Sequence, residues 1–495
     1  MFRNKINNFY IFFIIYLFFH LIFIYLDPIN DEYIFYTGAD FINTNSKEII
    51  RVFFDYNANT LGFSYLIFLI SKILNFEDYY TIGKLISLSG YIILYFGLQN
   101  FAKFIELVEK EKVYVLLIIF FCPLIFTYGF RATPDFFSFT LAFYACSKLI
   151  GHNSLLKTII FYILIAISVI IKPFNGIVLL MIFLCNLKLI NNNLFIKQNL
   201  TGLIFFGIIT SGFFFLNYTN YGFIFNAPQW KSTDINFENY FENIIYYFGY
   251  INLYIIPFTF KFFLNFKFKR YDLFILFIIT FFVTLILFIN WNDKFFGELD
   301  FGRLSQFVNL SLFKIFLGLG ATYFVFYFYV KYKITKNIIY LNLFIFVFIY
   351  IAIMSFFMPA QRYTLILIPF LYMVALKEIN SKFLNISTIL LYFLINIIIF
   401  NNHLIISDLS KKTLQFINSK NIHNETYPGY FGQHSLSRFT KFYKNDLTVI
   451  KKKEIFRNNK KYSIVSSKKI EDDIIFYYKS KILFLSKEIF IVKNF

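Results

Sequence analysis

Apolar residues run along the chain in long blocks separated by short polar stretches. The blocks fall at 9–26, 82–102, 113–130, 134–150, 157–171, 174–190, 200–217, 244–264, 272–290, 305–330, 337–357, 363–377 and 383–402. About 20 apolar helical residues cover the hydrocarbon core of a bilayer, so the pattern predicts thirteen membrane-spanning helices. One further run, Leu61 to Leu74, is shorter and carries Lys72; it predicts a helix lying in the interface. Phe35 to Phe41 predicts another short helix along the membrane. After residue 402 the pattern changes. Residues 403–495 are rich in Lys, carry a turn signal at Tyr427-Pro428-Gly429-Tyr430, and end in β-like runs at Ile474–Tyr478 and Ile482–Leu485. The expected architecture is an all-α polytopic membrane domain over 1–402 followed by a small α/β or β domain over 403–495.

Composition sharpens this picture. The chain is 58% apolar and 15% charged, with a mean hydropathy of +0.63, where soluble domains have roughly 45–50% and about 25%. That excludes a soluble enzyme, a fibre and a disordered chain. Of 47 basic residues only eight are Arg, and Phe, Ile, Asn, Lys and Tyr dominate, as codon usage in an AT-rich genome would favour. The net charge of +19 therefore does not point to nucleic acid, and no nucleic-acid partner is expected. A retained Arg carries more information than a Lys. Cys122, Cys146 and Cys185 each lie inside an apolar run and read as small core residues. The first run follows Arg3 and Lys5, has no small-residue cleavage site after it, and reads as a retained span.

Charge sets the orientation. With a cytoplasmic N-terminus, the cytoplasmic segments hold eighteen basic and five acidic residues, as the positive-inside rule requires. Counting 61–74 as a span would invert every later loop. The opposite face is acidic. Its first loop, 27–81, contains Asp27, Asp31, Glu32, Asp40, Glu48, Asp55, Glu77 and Asp78. Loops 217–243 and 291–303 add Trp230, Asp234, Glu238, Glu242, Asp293, Glu298 and Asp300. The C-terminal domain is expected on that extracytoplasmic side, in the inner membrane of a bacterium.

Three groups of residues on this face could carry chemistry. Asp31-Glu32, just after the first span, could supply a general base and a positioning carboxylate, or be a solvated acid pair. Arg131 and Asp135 share a tight turn before the fourth span. Pro134 is a good first helical residue and Asp135 suits the helix dipole; the Arg could also hold a phosphate and the Asp orient a second group. Lys172-Pro173 and Arg362-Tyr363 place cations at outer span ends. Alone, each could reach for headgroups; together they could form a pocket for an anionic lipid headgroup. No P-loop, HExxH or CxxC occurs, and the five His do not cluster. No metal ligand is assigned.

This layout resembles the GT-C superfamily of membrane glycosyltransferases, especially the branch with protein O-mannosyltransferases and the lipid A aminoarabinose transferase. The resemblance covers nearly the whole chain in topology, while its motifs are short. Asp31-Glu32 is similar to the family's acidic motif in the first outer loop, and Asp135 to the acid near the start of the fourth span. Lys172-Pro173 and Arg362-Tyr363 correspond more loosely to a basic residue after span five and a late Arg-Tyr pair. The resemblance implies a polyprenyl-phosphate-linked sugar as donor. The phosphate would sit against Arg131, Lys172 or Arg362, with Tyr363 beside it. Asp31 would act as base, with Glu32 or Asp135 orienting the base or the acceptor, and a single displacement would invert the anomeric centre. The acceptor could be a lipid, a glycan or a protein; the tail lacks the mannosyltransferases' sugar-binding insertion, so a protein is not implied. A divalent metal is permitted and not required. Two other readings remain at this stage: a flippase for lipid-linked sugars, which would more naturally place charges inside spans and show repeats, and an O-antigen polymerase or ligase, whose largest loop usually comes late.

Overall fold

The computed structural model describes residues 13–26, 32–43, 61–151, 154–189, 192–222, 240–265, 331–357, 360–378, 381–422, 425–427, 461–465, 473–483 and 485–493, with scattered helical residues at 47, 50, 271–285 and 327–329. Asp31, most of the acidic loops and nearly all of the predicted spans 272–290 and 305–330 lie outside the described residues.

The described chain is mostly helical. It opens with α1 (Phe13–Tyr25), α2 (Glu32–Asn43), α3 (Gly62–Leu74), α4 (Tyr79–Phe104), α5 (Glu109–Phe121) and α6 (Pro123–Gly129). It continues through α7 (Pro134–Leu149), α8 (Leu155–Ile171), α9 (Val178–Asn186), α10 (Asn193–Tyr221) and α11 (Tyr240–Asn265). After α12 (Ile338–Met354) and α13 (Ile368–Glu378) it ends in α14 (Lys382–Lys420) and a small sheet. Among the described residues α4, α10 and α14 are long and apolar enough to cross a membrane, and the bent pair α5–α6 passes the same test only when its two helices are taken together. Helices α8 and α12, with 17 residues each, are at the short end of what spans a bilayer.

Several boundaries differ from the hydrophobic blocks, each for a local reason. The run 113–130 is broken at Cys122-Pro123, where the axes bend by 60°. Pro123 has no N–H to continue the ladder and becomes the first residue of α6. The runs 174–190 and 363–377 do not begin as α-helices. Tight 3-10 turns, Pro173–Ile177 and Gln361–Ile366, precede α9 and α13. The last run does not stop at 402: α14 continues to Lys420 and ends only where Asn421 takes a left-handed backbone at φ 53°. The run Ile482–Leu485 is a hairpin connection. It joins β3 (Asp473–Ile482) to β4 (Leu485–Lys493) through Leu483 at φ 52°.

The sheet has the order β1-β2-β4-β3, with β1 (Thr426–Tyr427) parallel to β2 (Tyr462–Val465) and the other pairs antiparallel. It packs on the distal half of α14. Ile405, Ile406, Leu409 and Ile417 meet Ile464, Ile489 and Ile491, and Asp408 accepts from Tyr478 Oη at 3.0 Å and Ser480 Oγ at 2.6 Å.

The core of the bundle forms around α13. The Phe370 ring takes Phe101, Phe143 and Phe346 edge-on at 5.0, 5.0 and 5.5 Å, an arrangement aromatic quadrupoles favour. Helix α4 lies close to α7 because Gly83, Gly90 and Gly97 recur every seven residues along it. A Cβ at these positions would press on Ala132, Phe136 and Phe143. The tightest backbone approach is at Gly62, the first residue of α3, whose missing Cβ leaves room for the Ile170 carbonyl of α8. Backbone cannot swing aside as a side chain can. Gly62→Ala is therefore expected to cost about 1–3 kcal/mol, read as a lower melting temperature in detergent. A variant as stable as wild type would contradict this packing.

Candidate functional site

The two 3-10 turns and the start of α7 meet at one end of the bundle. Thr133, in extended conformation, precedes Pro134, so α7 starts abruptly and places Asp135 in its first turn. The exposed backbone N–H groups there favour a carboxylate. Across from it, α8 ends at Lys172. The following proline forces residue 172 out of the helical region, and its φ is −147°. A polar strut sets the register of the two helices: Ser168 Oγ donates to the Ser138 carbonyl at 2.7 Å and accepts from Asn175 Nδ2 at 2.9 Å. With that register fixed, Lys172 forms an ion pair with Asp135 Oδ1.

Arg362 arrives on the turn Gln361–Ile366, and its Nε lies 4.0 Å from the same Asp135 oxygen. Two buried tyrosines hold that turn. Tyr254 Oη donates to Gln361 Oε1 at 2.9 Å, and Tyr350 Oη donates to the Tyr363 carbonyl. The Tyr254 backbone carbonyl in turn accepts from Tyr372 and Tyr392. The Tyr363 ring carries both cations on its face, with Lys172 Nζ 4.7 Å and the Arg362 guanidinium 5.7 Å from its centroid.

A cleft results, lined by Asp135, Lys172, Asn175, Arg362 and Tyr363 on its polar side and by Phe139, Phe174, Leu365 and Ile366 on its apolar side. Asp135 is 5% exposed, Lys172 15% and Arg362 29%. The carboxylate is thus the buried foot of the cluster, and the cations are progressively more accessible. Among the described residues, Lys172 and Arg362 are the cations of this cleft and Asp135 its carboxylate, so positive charge stands at its more accessible side.

Glu32 and Arg131 are not among the residues that line the cleft. Glu32 is 1% exposed, and its Oε1 accepts the Ala132 N–H at 2.6 Å. Arg131 is 2% exposed and lies 5.3 Å from the Tyr128 centroid. Its Nε and Nη2 find no acceptor among the described residues. Asp31 is outside the described residues. Among those described, no three His, Cys, Asp or Glu come together as metal ligands. The tyrosines and the Ser168 strut were invisible as site residues in a chain with 38 Tyr, because their partners are distant in sequence. Lys84, a cation within an apolar run, is also buried.

No family model matches the chain, and no curated protein matches it. Among solved structures, ArnT from Cupriavidus metallidurans is similar in two states. The apo state shares 9% identity at a TM-score of 0.47, covering 100% of this chain and 98% of ArnT. The state bound to undecaprenyl phosphate shares 11% identity at a TM-score of 0.48, covering 99% and 98%.

Proposed function

We propose that the protein is a GT-C-type glycosyltransferase. It moves a sugar from a polyprenyl-phosphate donor to an acceptor hydroxyl at the extracytoplasmic face of the membrane. The observation that carries this reading is the cleft in which Lys172 and Arg362 share Asp135 over the Tyr363 ring, with an apolar wall beside them.

The charge balance suits that reaction. A sugar joined to a polyprenyl phosphate is a phosphodiester with one negative charge, which Lys172 and Arg362 are suited to hold. When the bond from the anomeric carbon to the phosphate oxygen breaks, the electron pair stays on phosphate and its charge grows toward two. Lys172 and Arg362 then bind the leaving group more strongly than the intact donor, which lowers the barrier rather than only the Michaelis constant. The prenyl chain lies along the apolar wall of Phe139, Phe174, Leu365 and Ile366. The acceptor oxygen attacks the anomeric carbon from the opposite side and gives its proton to Asp31, so the product is inverted. Asp135 keeps the two cations together before the donor arrives and orients them afterwards.

The test follows release of polyprenyl phosphate from a panel of polyprenyl-phosphate sugars, offered to the protein in nanodiscs with candidate acceptors. Asp31→Asn is expected to fold and to release at least ~100-fold more slowly, the contribution of a positioned base. Undiminished release by a folded Asp31→Asn protein would remove Asp31 as the base.

A further inference from the structure

Helix α14 changes character along its length. Its first half follows the apolar block 383–402 and leaves Phe383, Leu390 and Leu394 exposed. These side chains share one stripe. At about 100° per residue, positions 383, 390, 394 and 401 fall within about 40° of one another. On a membrane span, a bare apolar stripe of this kind faces hydrocarbon. Asn401 lies on the same stripe two turns after Leu394, yet it is 1% exposed. The C-terminal hairpin meets it there: Asn401 Nδ2 donates to the Ile482 carbonyl at 2.8 Å.

Strand β3 runs along α14 toward the bundle. Tyr478 and Ser480 bond Asp408, and Ile482 bonds Asn401, seven helical residues and about 10 Å nearer the apolar half. The turn between β3 and β4 therefore arrives on the lipid-facing stripe, where the apolar block ends. Its composition is unlike that of a turn in water. Hairpin turns are normally built from Gly, Asn or Asp, and the left-handed backbone of Leu483, at φ 52°, favours the same residues. Positions 482–485 contain none of them and are all apolar. Leu483 is 69% exposed. Lys481 precedes this tip on β3 and Lys487 follows it on β4. An apolar tip between lysines suits a bilayer surface, with the tip among the acyl chains and the lysines reaching anionic headgroups.

We propose that the β3–β4 turn is a second membrane anchor. Leu483 enters the leaflet beside α14, and Lys481 and Lys487 stand at headgroup level. The anchor holds the sheet against the bilayer, so the C-terminal domain is fixed to the membrane at two places: through α14 and through its own hairpin. This role is separate from the transferase reading and does not depend on it.

The experiment uses the full chain in nanodiscs of phosphatidylcholine and phosphatidylglycerol. A fluorophore is attached in Leu483→Cys. The control is Lys461→Cys, which precedes β2 at the opposite end of the sheet, where Tyr462 pairs with Lys493. Unsubstituted protein, labelled in parallel, gives the background of Cys122, Cys146 and Cys185. Lipids with a nitroxide high on the acyl chain are expected to quench the label at 483 at least ~3-fold more than the label at 461. Equal quenching, or a label at 483 that is shielded from water but not quenched, would overturn the proposal; the second result would mean that protein covers the tip. A second arm keeps the native surroundings and reads a sign. Asn is better suited than Leu to a left-handed backbone, so in water Leu483→Asn would tighten the turn and slow its amide exchange. With the turn anchored in lipid, the variant loses the burial of Leu483, and residues 481–483 are expected to exchange about 3-fold faster or more in the nanodisc. Exchange that is unchanged or slower in Leu483→Asn would equally overturn the anchor.

Discussion

Asp135→Asn is expected to cut turnover by about 100-fold or more while holding the released polyprenyl phosphate more tightly than wild type does. The two effects have one cause. Asp135 is 5% exposed and is shared by Lys172 and Arg362, so its charge offsets part of theirs. Asn keeps the size and removes that charge, so both cations have less negative charge beside them when the product phosphate is bound. At a partly buried site one extra unit of attraction corresponds to about 1–3 kcal/mol, or roughly tenfold or more in affinity. The product is then favoured as a ligand, yet the cations have lost the group that orients them and turnover falls. Removing one partner of a buried pair also destabilises the fold, by roughly 3–5 kcal/mol at most. Rates must therefore be normalised to folded protein. The check is a paired measurement of single-turnover release and of polyprenyl phosphate inhibition. Weaker product inhibition in the variant would contradict the charge balance drawn here.

Lys172→Met is expected to produce the second largest loss, in kcat/KM by about 100- to 1,000-fold. Lys172 makes the closer contact with Asp135 and is anchored at the helix end by its own N–H, which donates to the Ser168 carbonyl at 2.8 Å. Arg362→Met should fall in the same direction by a smaller factor, since Arg362 stands farther from Asp135 and is more exposed. The double variant should lose much less than the product of the two single losses, because both cations act on one phosphate. Multiplicative losses would mean that they serve separate ligands, and the shared cleft would be wrong. Initial rates at several donor concentrations distinguish the cases.

The parts of this site that could be read along the sequence are those with local causes. Pro134 starts a helix and puts Asp135 in its first turn. Pro173 ends one and leaves Lys172 at its edge. Arg362 stood out because Arg is scarce in this chain. The structure brings Asp135, Lys172, Arg362 and Tyr363 into one cleft, whose lining does not include Glu32 or Arg131. That division could not be read from spacing. All of these residues lie at span ends, and which way each faces depends on the register of α7 against α8, fixed by Ser138, Ser168 and Asn175. The supports of the Arg362 turn were equally hidden. Tyr254 reaches Gln361 across 107 positions, and Tyr372 reaches the Tyr254 carbonyl across 118.

The fold shows the same pattern. Long apolar runs announced helices, and a Lys-rich tail announced the sheet. A hydropathy run does not show where a helix breaks, which is why α5 and α6 looked like one span despite Pro123. It also cannot show where a helix stops when the sequence turns polar without a breaker. The residues just past 402 carry on α14 because Asn401, Asn402 and His403 are themselves buried and no Gly or Pro lies between 402 and 420.

The most direct test of the central claim is a structure of the wild-type protein with a polyprenyl phosphate bound in a lipid nanodisc. The account predicts phosphate oxygens within about 3 Å of Lys172 Nζ and of an Arg362 guanidinium nitrogen, with the first prenyl units against Phe139, Phe174 and Leu365. A phosphate bound instead at Arg131 and Lys84, or at a site remote from Asp135, would contradict it.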